Sequence, residues 1–134
     1  MAIDYGEKRT GLAVTDELQI IASGLETVPT KDVFDYLTMY FEREDVRKVL
    51  IGDPRQMDNS PSEIAAQADE FAVKFSRLFP QIEVVRVDER FTSKMAMRTL
   101  AESGVKKSKR RDKPLLDQIS ATILLQDYLL RRMI

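Results

Sequence analysis

The stretch Met1-Ala2-Ile3-Asp4-Tyr5-Gly6-Glu7-Lys8-Arg9-Thr10-Gly11-Leu12-Ala13-Val14-Thr15 reads as strand, tight turn and strand. Met1 to Tyr5 forms a short strand that carries an aspartate, Gly6 to Thr10 the connection, and Gly11 to Thr15 the second strand. Ile20 to Val28 is expected as a third. Short connections between neighbouring strands favour an antiparallel meander. Only three residues precede Asp4, so the first strand is expected to begin a residue or two upstream.

Beyond the meander the pattern alternates. Thr30 is a plausible N-cap for a helix whose Val33, Phe34, Leu37 and Phe41 recur at helical spacing. Val46 to Gly52 reads as a buried strand that ends at Asp53-Pro54. Ser60-Pro61-Ser62-Glu63 is a capping box with proline at the first helical position. The helix it opens carries a stripe of Ile64, Ala68, Phe71, Ala72, Phe75, Leu78 and Phe79, and Pro80 stops it. Ile82 to Val87 is the fifth strand. A helix from Thr92 or Ser93 to about Ser103 follows, with Gly104 in the left-handed position after its end. Leu115 to Arg132 is a long, largely apolar helix. A meander followed by alternating helices and strands predicts an α/β fold: a five-stranded mixed sheet flanked by helices. At 134 residues, with no internal repeat or linker, the chain is expected to be one domain, 1–134.

Three acidic positions interrupt apolar runs. Asp4 sits in the first strand, Asp88-Glu89 ends Val84-Val85-Arg86-Val87, and Asp117 lies early in the last helix. A carboxylate embedded in apolar sequence is costly to bury unless something positive pairs with it. The chain has no histidine and no cysteine. These acids therefore point to an all-oxygen site for a hard divalent cation, Mg²⁺ or Mn²⁺, and to metal-assisted phosphodiester chemistry. Asp117 shares a helix face with Ala121, Leu124 and Tyr128, which turns it towards the sheet. Each acid also has a bland reading. Asp117 can favour a helix N-terminus, Asp88-Glu89-Arg90 can be a strand-end turn, and Asp4 can cap the turn after it. Their joint occurrence on neighbouring elements favours a site.

Composition excludes other classes. Zero cysteines rule out disulfides, thiolate catalysis and cysteine-ligated zinc, and suit a reducing cytoplasm. No apolar run approaches the roughly 20 residues of a membrane span, and charges break the N-terminus before a signal-peptide core forms. The net charge of −1 says nothing about nucleic acid, but its distribution does. Lys106-Lys107-Ser108-Lys109-Arg110-Arg111-Asp112-Lys113 packs six cations and one anion into eight residues shortly before Asp117. Such a strip, otherwise a solvated loop, can track phosphates.

Three stretches resemble one family. Ala2 to Asp16 is similar to the opening motif of the YqgF/RuvX family, Val87-Asp88-Glu89-Arg90-Phe91-Thr92-Ser93 to its second signature, and Asp117 to Leu129 to its C-terminal helix. The resemblance runs in order over essentially the whole chain. It implies a ribonuclease H-like fold, related to Holliday-junction resolvases, and a nuclease role in maturation of precursor small-subunit ribosomal RNA. Carried over by residue, Asp4, Glu89 and Asp117 would bind the metal, with Asp88 a close catalytic accessory. Lys8 and Arg9 would contact phosphate or be a charged hairpin tip. Arg90 would orient the acids or engage substrate, and Lys107, Lys109, Arg110 and Arg111 would track nucleic acid. Two departures stand out. Asp53 and Asn59 replace an apolar residue and a glycine common in the family, Asp53 reading best as a loop cap, and the short first strand is expected to present Asp4 less firmly.

The expected substrate is structured RNA, in ribosomal precursor particles, with branched DNA as the alternative. A resolvase would need a two-fold dimer, and no dimer seam is evident, so a monomer or weak dimer is expected. A non-catalytic nucleic-acid-binding module is a further alternative, against which the set of acids argues. A nucleotide-enclosing ATPase of the actin-like kind would need a second such domain.

Overall fold

A computed structural model describes residues 1–54, 63–88, 98 and 112–132. Five strands form one sheet: β1 Ala2–Asp4, β2 Arg9–Thr15, β3 Ala22–Pro29, β4 Lys48–Asp53 and β5 Glu83–Asp88. Their order across the sheet is β3-β2-β1-β4-β5. The meander pairs antiparallel, as its short connections require, while β1–β4 and β4–β5 are parallel. The sheet is therefore mixed. Three α-helical elements are delimited among the described residues: α1 Val33–Arg43, α2 Glu63–Leu78 and α3 Lys113–Arg132. No helix among the described residues is long and apolar enough to cross a membrane.

Side chains alternate across a strand, and here the alternation sorts two unlike cores. Ile3, Leu12, Val49 and Ile51 face α1 and α2 and pack with Val33, Leu37, Phe71, Phe75 and Phe79. Aromatic rings run through this layer, with the Phe75–Phe79 and Phe41–Phe79 centroids both 4.9 Å apart. Ala2, Ala13 and Leu50 face the other way and pack under Ala121, Leu124 and Leu125 of α3. That layer is thin, so α3 approaches the sheet closely.

Several expectations shift. β1 is only three residues long, yet it is paired on both sides, Ala2 with Ala13 and Leu50. β3 and β4 begin later than the apolar runs predict, and β4 keeps Asp53 as its last residue rather than releasing it to a loop. Leu78 is exposed rather than part of the α2 stripe. Thr30 does not cap α1. It opens a 3₁₀ turn, Thr30–Asp32, in which Pro29 holds the cap position without a side-chain bond. The segment expected as a helix from Thr92 to Ser103 lies outside the described residues, apart from Arg98.

Candidate active site

The strand directions create a meeting place. β1, β4 and β5 run parallel and end at one edge of the sheet, where antiparallel β2 begins. Asp4, Asp53 and Asp88 are the last residues of their strands and Arg9 is the first of β2. Within that edge, alternation separates two faces.

Asp4 lies beside Gly11 in the β1–β2 register. It is two residues from Ala2, which packs under α3, so Asp4 belongs to the α3 face. Gly11 is the point where helix and strand touch. A Cβ on it would collide with the Asp117 carbonyl group and come within 3.0 Å of the Gln118 amide nitrogen. Only glycine accommodates that approach. The N-terminal turns of α3 are thereby laid over β2, and Asp117 is delivered to the neighbourhood of Asp4. Asp112 helps start the helix, accepting from the Leu115 amide at 3.3 Å, and the Thr27 hydroxyl donates to the Pro114 carbonyl at 2.5 Å.

Arg9 completes the group. It shares a strand face with Gly11, and its Nε donates to Asp117 Oδ2 at 2.9 Å. The Asp117 side chain retains 26% of its exposure. Burial pushes its carboxyl above the usual aspartate range, against the opposing pull of Arg9 and Lys113. Desolvation outweighs the ion pair.

The other face is organised differently. Asp53 and Asp88 are register partners on β4 and β5. Asp53 follows Ile51 by two residues, and Asp88 follows Arg86 by two, which puts both on the α2 face. Arg86 ties that face together. It donates to Asp69 of α2 at 2.8 Å and to the carbonyls of Ile51 and Gly52 at 3.3 Å, and lies 3.9 Å from Asp53 Oδ1. Asp53 is thus a strand-end partner of Arg86, and the loop it was expected to cap lies outside the described residues from position 55 on.

The sequence-predicted set is therefore divided. Asp4, Arg9 and Asp117 come together on the α3 face, and Lys8 is exposed on the adjoining turn. Asp88 stands at the same sheet edge but on the opposite face. Glu89, Arg90, Lys107, Lys109, Arg110 and Arg111 lie outside the described residues. Among the described residues no three acids are grouped closely enough to hold a metal ion.

A family model described as RuvX, Holliday junction resolvase, matches residues 1–131. The chain belongs to the RuvX family. Its five-stranded mixed sheet with helices is the ribonuclease H-like arrangement that the family resemblance implies. A relative from Flavobacterium johnsoniae is 58% identical over 129 residues, covering 96% of this chain and 94% of its own. One from Christiangramia forsetii is 54% identical, covering 96% of each chain. One from Bacteroides fragilis (strain ATCC 25285) is 50% identical, covering 96% of this chain and 94% of its own. All three bear the name "Putative pre-16S rRNA nuclease".

Two residues of this RuvX-family edge escaped the sequence reading. Arg86 is a cation inside the apolar run Val84 to Val87, a pattern that itself demands a buried partner. Gly11 sits mid-strand, where glycine signals close approach of another backbone.

Proposed function

We propose that this protein is a metal-dependent nuclease whose reacting centre is the α3 face of the sheet edge, around Asp4, Arg9 and Asp117. The observation that carries the reading is the contact of Gly11 with the Asp117 backbone, which brings the acid of the last helix beside the strand pair holding Asp4 and Arg9. The donor set suits a hard cation. It offers carboxylate oxygens in a chain without histidine or cysteine, and Mg²⁺ is commonly held by one or two carboxylates, with water and substrate phosphate completing its shell. Asp4 and Asp117 would hold it, joined by Glu89 as the family motif implies. When bound, a Mg²⁺ or Mn²⁺ ion supplies a polarised phosphoryl oxygen and an activated water.

The protein's own groups do the rest. Arg9 presents a guanidinium at the same point, suited to a phosphate oxygen. Lys8 extends that positive charge along the turn. Asp88, on the opposite face, contributes to the field at the strand ends rather than to the carboxylate pair. Arg90, Lys107, Lys109, Arg110 and Arg111 extend the nucleic-acid contact in this reading.

Precursor small-subunit ribosomal RNA is the preferred substrate, because the relatives at 50% identity and above bear that name. Branched DNA is the second reading, favoured by the description of the matching family model. The test is cleavage of a labelled ribosomal-RNA precursor fragment beside a four-way DNA junction, with Mg²⁺, Mn²⁺ or EDTA. RNA cutting that requires metal and is absent from Asp4→Asn is the expected result. Junction cutting alone would transfer the assignment to branched DNA, and salt-sensitive binding without cutting of either would leave a binding module. The cytoplasm is the compartment this role implies.

A further inference from the structure

The turn that separates Asp4 from Arg9 is fastened from the side of the sheet opposite Asp117. Thr30 opens the 3₁₀ turn after β3, and its polar groups point back to that connection. Its amide donates to the Lys8 carbonyl at 3.0 Å, and its hydroxyl donates to the Gly6 carbonyl at 2.6 Å. Because that hydroxyl proton is committed to Gly6, the Thr10 hydroxyl, 2.9 Å away, is the donor to Thr30 Oγ1. Thr10 is fully buried, so water offers it no substitute partner. The chain Thr10 to Thr30 to Gly6, together with the Thr30 amide on Lys8, fixes the turn on both sides of Glu7. Gly6 is itself pressed against the Arg9 carbonyl, where a Cβ would not fit. Arg9 leaves this fixed turn on the other face of β2 and meets Asp117.

We propose that Thr30 is a positioning residue for the candidate site, holding the Gly6–Lys8 turn so that Arg9 is delivered to Asp117 beside Asp4. The inference rests on reading that face as the reacting centre. Arginine has a long side chain with considerable rotamer freedom, and a single bond to a partly buried carboxylate does not fix its origin. The hydroxyl relay fixes the backbone from which it starts. Cleavage that depends on where charge is presented to a phosphate is sensitive to small displacements of that start.

The test compares Thr30→Val, which keeps shape and removes the hydroxyl, with Thr30→Ser, which keeps the hydroxyl. Two quantities are read below the melting temperature: the Arg9 Nε–H resonance, assigned by its loss in Arg9→Lys, and steady-state cleavage of the RNA fragment. Thr30→Val is expected to lose the distinct resonance and to lower turnover roughly ten- to a hundredfold, with KM little changed. Thr30→Ser is expected to restore both. A folded Thr30→Val with the wild-type resonance, or with wild-type turnover, overturns the proposal. Thr30→Ala is read in the same way if Thr30→Val does not fold. If neither folds while Thr30→Ser does, the hydroxyl is purely structural and the positioning role is overturned. A wild type that cleaves nothing overturns the nuclease reading separately, and the resonance in Thr30→Val still decides whether the clamp exists.

Discussion

The two faces of the sheet edge each join an arginine to an aspartate, and they do so for different ends. On the α2 face, Arg86 is engaged by Asp69, by two strand carbonyls and by Asp53, above a layer of phenylalanines. Its charge is spent on holding β4, β5 and α2 together. On the α3 face, Arg9 makes one short bond to Asp117 over a layer of alanines and leucines, and burial still pushes the Asp117 carboxyl up. An ion pair alone therefore does not mark a site. What distinguishes the α3 face is a carboxyl that burial pushes above its usual range where a second acid-bearing strand end arrives.

The sharpest way to break this comparison is Asp117→Asn. It is expected to reduce RNA cleavage at least about a thousandfold, equivalent to about 4 kcal/mol of barrier, while the melting temperature at neutral pH rises. Full activity in that variant, in cleavage of the labelled RNA fragment, would return the α3 face to a structural role. Phe75→Ala tests the opposite face. It removes a fully buried ring and should cost about 3–5 kcal/mol in urea unfolding, with metal-dependent cutting retained by the folded fraction.

Glycine substitutions sharpen the contrast at the next level. Gly11→Ala places a Cβ against the rigid Asp117 backbone and should cost about 1–3 kcal/mol, displacing α3 and lowering cleavage. Gly24→Ala meets the Gln118 side chain rather than backbone, its Cγ at 2.8 Å and its Cδ and Nε2 at 3.0 Å. A side chain can turn aside where a backbone cannot, so the loss in thermal unfolding should be clearly smaller. Equal losses would mean that α3 is not anchored at Gly11.

The smallest effect is in pH dependence, measured without metal. The folded Asp117 value lies above the unfolded value of about 3.9. The fold thus favours the neutral acid, and its ionisation costs stability above the folded value. That cost disappears as pH falls through the folded value towards the unfolded one. The melting-temperature advantage of Asp117→Asn over the wild type should accordingly be present at neutral pH and shrink on acidification. A gap that widens at low pH would contradict the burial of Asp117.

Much of this was legible because it depends on periodicity. The helical stripe Ala68, Phe71, Ala72, Phe75 announces α2, and all four are buried in it. Asp117 with Ala121 and Leu124 announces the inward face of α3. Asp4 was readable on the first strand, but Arg9 reads as part of the turn and in fact opens β2. Partner choice was less legible. Thr30 satisfies the local rule for a helix cap, but its hydroxyl finds the Gly6 carbonyl brought across by β2–β3 pairing. Asp88 could not be told from its neighbour, because one residue of strand register decides the face.

The sequence by itself determined which segments become strands and helices, and that three acids and a turn of cations interrupt them, since propensity and hydrophobic period act over a few residues. Only the tertiary structure decided that β1 lies between β2 and β4, that Gly11 receives the backbone of α3, and that Asp53 and Asp88 face away from Asp4. Those outcomes depend on strand order and register, which are fixed when elements distant in sequence bury their faces against one another.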